Sequence, residues 1–253
     1  MGHWYTQDGA PQHWITGKNG KERATDLRDA RKLNLAPSVT TIIKGAAAPQ
    51  LTNWLVNQAY MQALTTPARD GETLDQYIKR CKAAEAAELE RTADIGSAIH
   101  KAIEDKFLGR RPREHAESAD AVFDLVHHLT GQNRGWIPEK TFTSPLGFGG
   151  AVDLHHQGGV VIDYKTKDFT EETADKRMAY DNHAMQMAAY AHGLGMPDAR
   201  LINIFVSRQV PGLVRYHEWS KPDAEKGWKK FSALLDYWQA STGHKPTING
   251  DSV

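Results

Sequence analysis

Between Gly150 and Lys165 the chain carries two carboxylates, Asp153 and Asp163, and one amine, Lys165, on two short apolar runs joined across Gln157-Gly158-Gly159. Carboxylates held close together repel, and one of them takes up a proton unless a positive charge lies between them. A hard divalent cation meets that need, and oxygen ligands on a small rigid scaffold suit Mg²⁺ or Mn²⁺. Such an ion polarises a phosphoryl oxygen and acidifies a bound water, while a neighbouring amine stabilises the charge that develops during attack. The set is therefore suited to metal-dependent hydrolysis of a phosphodiester.

The elements that must position these groups follow from side-chain periodicity. Strand residues alternate faces, so Asp163 and Lys165 share one face while Val160, Ile162 and Tyr164 take the other. On the preceding strand Asp153 lies opposite Val152 and Leu154. An even loop centred between Gln157 and Gly158 would set Asp153 against Ile162 and turn it away. An odd loop or a bulge brings the two aspartates together, and glycine tolerates the positive φ this requires. Upstream, residues 71–107 are rich in Ala, Glu, Lys and Leu and predict a long helix with Ile95, Ile99, Ile103 and Phe107 as its apolar stripe. His100 and Glu104 sit beside that stripe, one turn apart. Downstream, residues 181–194 predict a helix on which Gln186 and Tyr190, four apart, face the same way.

Read in order, Gly-x-x-x-His at Gly96 to His100, Gly-x-x-Asp at Gly150 to Asp153, Asp-x-Lys at Asp163 to Lys165 and Gln-x-x-x-Tyr at Gln186 to Tyr190 resemble the RecB-like branch of the PD-(D/E)XK nuclease superfamily. Pro37-Ser38-Val39-Thr40-Thr41-Ile42-Ile43, followed by Leu51-Thr52-Asn53-Trp54, is similar to the opening of phage-encoded exonucleases and of the mitochondrial genome maintenance exonuclease. The resemblance spans about Pro37 to Arg208. It implies a restriction-endonuclease-like fold, with His100, Asp153, Asp163 and the Tyr164 carbonyl as metal ligands and Lys165 as the catalytic lysine. Gln186 and Tyr190 would orient the lysine or the substrate, with Glu104 and Glu139 as supporting groups. The implied activity is DNA hydrolysis at ends, in phage or bacterial recombination or replication, alongside a single-strand-binding or annealing protein. A structure-selective endonuclease and a non-catalytic DNA-end-binding or assembly factor are the alternatives.

Some members of that branch hold an iron–sulfur cluster through four cysteines. This chain has only Cys81, which excludes such a cluster and an internal disulfide framework and fits a reducing compartment. Cys81 itself is expected to be a small buried hydrophobe. No run approaches about 18 apolar residues, and the first residues have neither a signal-peptide nor a transit-peptide pattern. The expectation is a cytoplasmic protein of a bacterium or a phage-infected cell, without a membrane segment. Lys and Arg number 31, as do Asp and Glu, so any grip on DNA must be local rather than a global field. Arg110, Arg111 and Arg113 after the His100 helix are the first candidates. Arg28, Arg31 and Lys32 form a second cluster, and Lys226, Lys229 and Lys230 a third.

The remaining pattern predicts an α+β class, a mixed central sheet flanked by helices, in a single nuclease domain over 1–253. Within it, 1–95 would form an N-terminal hairpin and helical arch or wall, 96–219 the catalytic core and 220–253 a helix and tail. A hairpin is expected over Trp4 to Thr16, a helix capped by Ser38, and a second over 49–64 carrying Trp54. A helix over 116–130 and strands near 137–143, 148–155, 160–166, 200–207 and 213–219 follow. Ser220 with Asp223 predicts a capping box opening a helix through Trp238, with a loose tail from Gly243.

Overall fold

The computed structural model describes residues 2–46 and 49–248. The chain forms two compact units, one of residues 1–45 with 99–253 and one of residues 46–98. The first elements are β1 (Trp4–Tyr5), β2 (Trp14–Thr16), β3 (Glu22–Ala24), α1 (Leu27–Leu33), β4 (Ala36–Pro37) and α2 (Val39–Ile43). Two helices follow, α3 (Pro49–Thr65) and α4 (Leu74–Phe107), and then α5 (Ala116–Thr130). The sheet elements are β5 (Trp136–Ser144), β6 (Phe148–His156), β7 (Val160–Lys167), β8 (Arg200–Ser207) and β9 (Val214–Trp219). A 3₁₀ turn (Glu171–Thr173) and α6 (Asp181–Gly193) connect β7 to β8, and α7 (Lys221–Thr242) is the last element.

The fold is α+β, with β5 to β9 adjacent in sequence order in one mixed sheet. All neighbours are antiparallel except β7 and β8, which run parallel. A parallel pair needs a crossover, and here the crossover carries α6 over the sheet. Val160, Val161 and Ile162 on β7 and Leu201 to Ser207 on β8 are buried on both faces, as a central strand pair with near-continuous apolar sequence should be.

Helix α6 is buried almost all round, from His183 through Ala191. Its small residues let neighbours approach closely. A Cβ added at Gly193 would lie 1.9 Å from the Phe142 ring, and one at Gly227 of α7 would lie 2.6 Å from the Ala184 carbonyl oxygen. Sheet and α7 thus clamp α6 from two sides, and this clamp fixes where Gln186 and Tyr190 point.

Ser38 caps α2 by accepting the Thr41 N–H at 3.0 Å, and Ser220 caps α7 by accepting the Asp223 N–H at 3.3 Å. Three expectations are corrected. Trp4 to Thr16 is a hairpin only in its first part, where the turn at Asp8-Gly9 sets Tyr5 against Pro11 and the Gln12 N–H donates to the Trp4 carbonyl at 2.8 Å; beyond it β1 pairs with β4, and β2 pairs with β3 across Gly17 to Gly20. The β1–β4 pairing joins segments about thirty residues apart, for which local turn residues give no signal. The segment 243–248 is not loose, because His244 is buried against the Leu35 carbonyl at 2.8 Å and Asn34 and Thr247 exchange two hydrogen bonds. Residues 249–253 and the side chain of Trp54 lie outside the described residues. Cys81 is half-buried rather than buried. Arg28, Arg31 and Lys32 lie on α1, whose cap Asp26 and third residue Asp29 form a capping box that the sequence reading passed over.

Candidate active site

The β6–β7 hairpin has a three-residue loop, Gln157-Gly158-Gly159, closed by the pair His156–Val160, from which the ladder runs to Leu154–Ile162. The loop is odd, as the meeting of the aspartates requires, and Gly159 takes the left-handed turn at φ 86°. Extending this register sets Asp153 across from Asp163. The backbone ladder stops at Leu154–Ile162, and there the Asp153 carboxylate takes over by accepting the Tyr164 N–H at 2.7 Å. The backbone of β7 therefore fixes Asp153 beside its own Asp163.

Asp163 is 1 % exposed and accepts from three side chains. Lys165 Nζ lies 2.8 Å from Oδ1 and 2.7 Å from Oδ2, as the shared strand face predicts. Gln186 donates to Oδ1 at 3.1 Å and to the Tyr190 hydroxyl at 2.8 Å. The other oxygen accepts from Asn203, its register partner on β8, at 2.8 Å. The Asn203 amide is oriented in turn by the Trp219 indole N–H, which donates to Asn203 Oδ1 at 2.8 Å. Burial pushes the Asp163 carboxyl up to about 6, with Lys165 pulling it down and Asp153 adding to the rise. Sequence reasoning missed Asn203 and Trp219. The available signal was one amide inside the apolar run Leu201-Ile202-Asn203-Ile204-Phe205, since a buried amide needs a partner.

A second group adjoins this one. His100, Glu139 and Asp153 each offer a ligand atom within 4.8 Å of the others, a His/carboxylate cluster able to hold a metal ion. His100 Nδ1 lies 3.7 Å from Asp153 Oδ2, and its ring stands edge-on to the buried Tyr164 ring at 5.7 Å. Glu139 joins because β5 pairs Pro138 with Leu154 and Lys140 with Val152, which brings it across from Asp153. It does so at φ 50°, a left-handed conformation that non-glycine residues seldom adopt and that costs on the order of 1–3 kcal/mol. Loss of surrounding water, then the charges of Asp153 and Glu104, raise the Glu139 carboxyl to about 7. The side chain is nevertheless exposed, so solvent screens much of that effect.

The predicted site residues thus fall into two adjoining sets. Asp163, Lys165, Gln186 and Tyr190 form one, and His100 and Asp153, with Glu139, form the other. Tyr164 links them through its N–H on Asp153 and its ring against His100, and its buried hydroxyl has no partner among the described residues. Gln186 and Tyr190 are 8 % and 6 % exposed, and their observed reach is to Asp163. Glu104 lies outside the cluster, paired with Lys101 at 2.9 Å and Arg110 at 3.3 Å. Arg110 also binds Asp105 at 2.7 Å, so its charge is already met, while Arg111 and Arg113 are exposed. Among the described residues no helix is long and apolar enough to cross a membrane.

No family model matches the chain, and no curated protein matches it. Among the solved structures that match, the one described as the crystal structure of SSO0001 is 14% identical over 46% of this chain, with a TM-score of 0.29. The matched region spans 58% of that protein's length. A likeness at this level carries no argument about fold or function.

Proposed function

We propose that the chain is a divalent-metal-dependent deoxyribonuclease, an exonuclease that hydrolyses phosphodiester bonds at DNA ends. The observation that carries the reading is the buried Asp163 paired with the half-buried Lys165 and locked by Gln186 and Asn203, directly beside the His100, Glu139 and Asp153 cluster. The order of motifs that resembles the RecB-like branch supports it.

The donor set fits a hard cation: one imidazole and several carboxylate oxygens suit Mg²⁺ or Mn²⁺. Glu139 is lifted to about 7 first by loss of surrounding water and then by the charges of Asp153 and Glu104, and such a cation offsets that second, electrostatic part. In this reading His100, Glu139 and Asp153 hold the ion, joined by Asp163 and the Tyr164 carbonyl. The bound ion supplies Lewis-acid polarisation of the phosphoryl oxygen and acidifies water. Asp163, fixed by two amide donors, does not reorganise during the reaction, which keeps the electrostatic environment ready for the transition state. Lys165 spans both Asp163 oxygens and turns its remaining donor capacity to the phosphate oxygens as their charge grows.

Digestion of end-labelled linear DNA and of circular DNA, single- and double-stranded, with Mn²⁺ or Mg²⁺ tests the reading. Linear DNA shortened from its ends while circles survive is the expected pattern. Cleaved circles would make the chain an endonuclease, and intact DNA of every form would overturn hydrolysis.

A further inference from the structure

Strand β7 presents a third polar side chain on the face of Asp163 and Lys165. Lys167 follows Lys165 by one strand repeat, about 6.6 Å. It is half-buried, and its amine donates to the Met178 carbonyl oxygen at 3.0 Å. Its charge rests on two aromatic rings, Tyr180 at 4.9 Å and Phe205 at 5.3 Å. Among the described residues no carboxylate stands within ion-pair distance of it, although lysines of this chain elsewhere pair with acids, as Lys106 does with Asp120 and Lys230 with Asp181. His183 of α6, whose ring lies 5.9 Å from those of both Tyr180 and Phe205, is held neutral by burial and by the charges of Lys165 and Lys167 and offers no counter-charge. A partly desolvated cation without a counter-ion is costly unless an anion completes it. The spacing from Lys165 is on the scale of successive phosphates in an extended strand.

We propose that Lys167 binds the phosphate adjoining the scissile one, so that the site takes a nucleic-acid strand with at least two successive phosphates and discriminates against an isolated diester. This rests on the nuclease reading. Lys165 then faces the reacting phosphate and Lys167 its neighbour, and the Tyr180 and Phe205 rings hold the second amine in place before substrate arrives.

The test combines binding and kinetics on a fluorescein-labelled thymidine oligonucleotide. The affinity of the parent is measured against salt in EDTA, and KM and kcat are measured with Mn²⁺. Lys167→Met should reduce the slope of log affinity against log salt by about 0.7, the value for one single-strand phosphate contact. It should also raise KM by about tenfold, while Lys167→Arg keeps both near the parent. A neutral methylphosphonate at the adjoining linkage should raise the parent's KM by about tenfold yet add less than about twofold to Lys167→Met, because the two changes remove one contact. An unchanged salt slope, or a neutral linkage that costs parent and variant equally, overturns the proposal. If Lys167→Met does not fold, a parent indifferent to the neutral linkage overturns it equally. A parent that neither binds nor cuts the oligonucleotide sinks the nuclease reading and this proposal with it. A parent that cuts normally without any Lys167 dependence sinks only the latter.

Discussion

Replacing Asn203 by leucine tests the support beneath Asp163. The residue is 0 % exposed, and its amide joins the buried Asp163 carboxylate to the part-buried Trp219 indole. Asn203→Leu removes the donor at 2.8 Å from Asp163 Oδ2 and leaves the Trp219 indole N–H facing a methyl group. A hydrogen bond to a charged acceptor contributes about 1.5–3 kcal/mol, and a stranded buried donor costs about 1–3 kcal/mol. Leucine fills nearly the same volume, so the cavity contribution is small. The two effects sum to about 2.5–6 kcal/mol. At about 2–4 °C per kcal/mol for a chain of this size, the melting temperature should fall by roughly 10 °C. Trp219→Phe keeps the ring and removes only the donor to Asn203 Oδ1, and should cost about 1 kcal/mol. Thermal unfolding followed by circular dichroism reads both. A melting temperature for Asn203→Leu within about 2 °C of the parent would show that the amide bridge is not holding the carboxylate, and the reasoning would fail.

Gly193→Ala drives a methyl into the Phe142 ring, 1.9 Å from the built Cβ, and should destabilise the chain by about 1–3 kcal/mol; an unchanged urea midpoint would refute the tight seating of α6. His244→Ala leaves the Leu35 carbonyl unpaired and should expose the segment after Thr242 to limited proteolysis, while a variant trimmed no faster than the parent would contradict its docking. Glu139 and Asp163 are raised to about 7 and about 6, so the folded chain holds protons that the unfolded chain has lost between about pH 4 and 7, and stability from these groups falls as pH rises through that window. Mg²⁺ should therefore raise the melting temperature near pH 8, with the gain vanishing below about pH 5 and shrinking in Glu139→Gln; a gain indifferent to pH and to Glu139 would refute the cluster. His183, lowered to about 3 by burial, acts in the opposite sense between about pH 3 and 6.5, so the metal-dependent difference is the quantity to read. Lys165→Ala should slow cleavage by about 10²–10³, and activity within a few-fold of the parent would reduce the lysine to an ion pair.

The parts of the site carried by local periodicity were legible. Asp163 and Lys165 share a face because two residues on a strand must, and Gln186 and Tyr190 meet because four residues on a helix do. The odd loop at Gln157 to Gly159 could be stated as a condition, and the register satisfies it. Residues whose role depends on strand neighbours were not legible. Asn203 reaches Asp163 only through the parallel β7–β8 register, and Trp219 reaches Asn203 from the edge strand β9. Glu139 was read as a supporting group because nothing nearby in sequence announces that a left-handed turn inside β5 aims it at Asp153 and His100. The same limit hid β1–β4 and the docked C-terminal segment, both built from contacts between distant stretches.

Cleavage of an end-labelled oligonucleotide by the parent and by Asp163→Asn, with Mn²⁺ and with EDTA, tests the central claim most directly. The substitution keeps the shape of Asp163 while removing its charge and one acceptor from Lys165, Gln186 and Asn203. The account expects Mn²⁺-dependent shortening by the parent, abolished by EDTA, and a loss of at least about 10² in rate for the variant. Cleavage by the parent that survives EDTA, or by Asp163→Asn at the parent's rate, would contradict it.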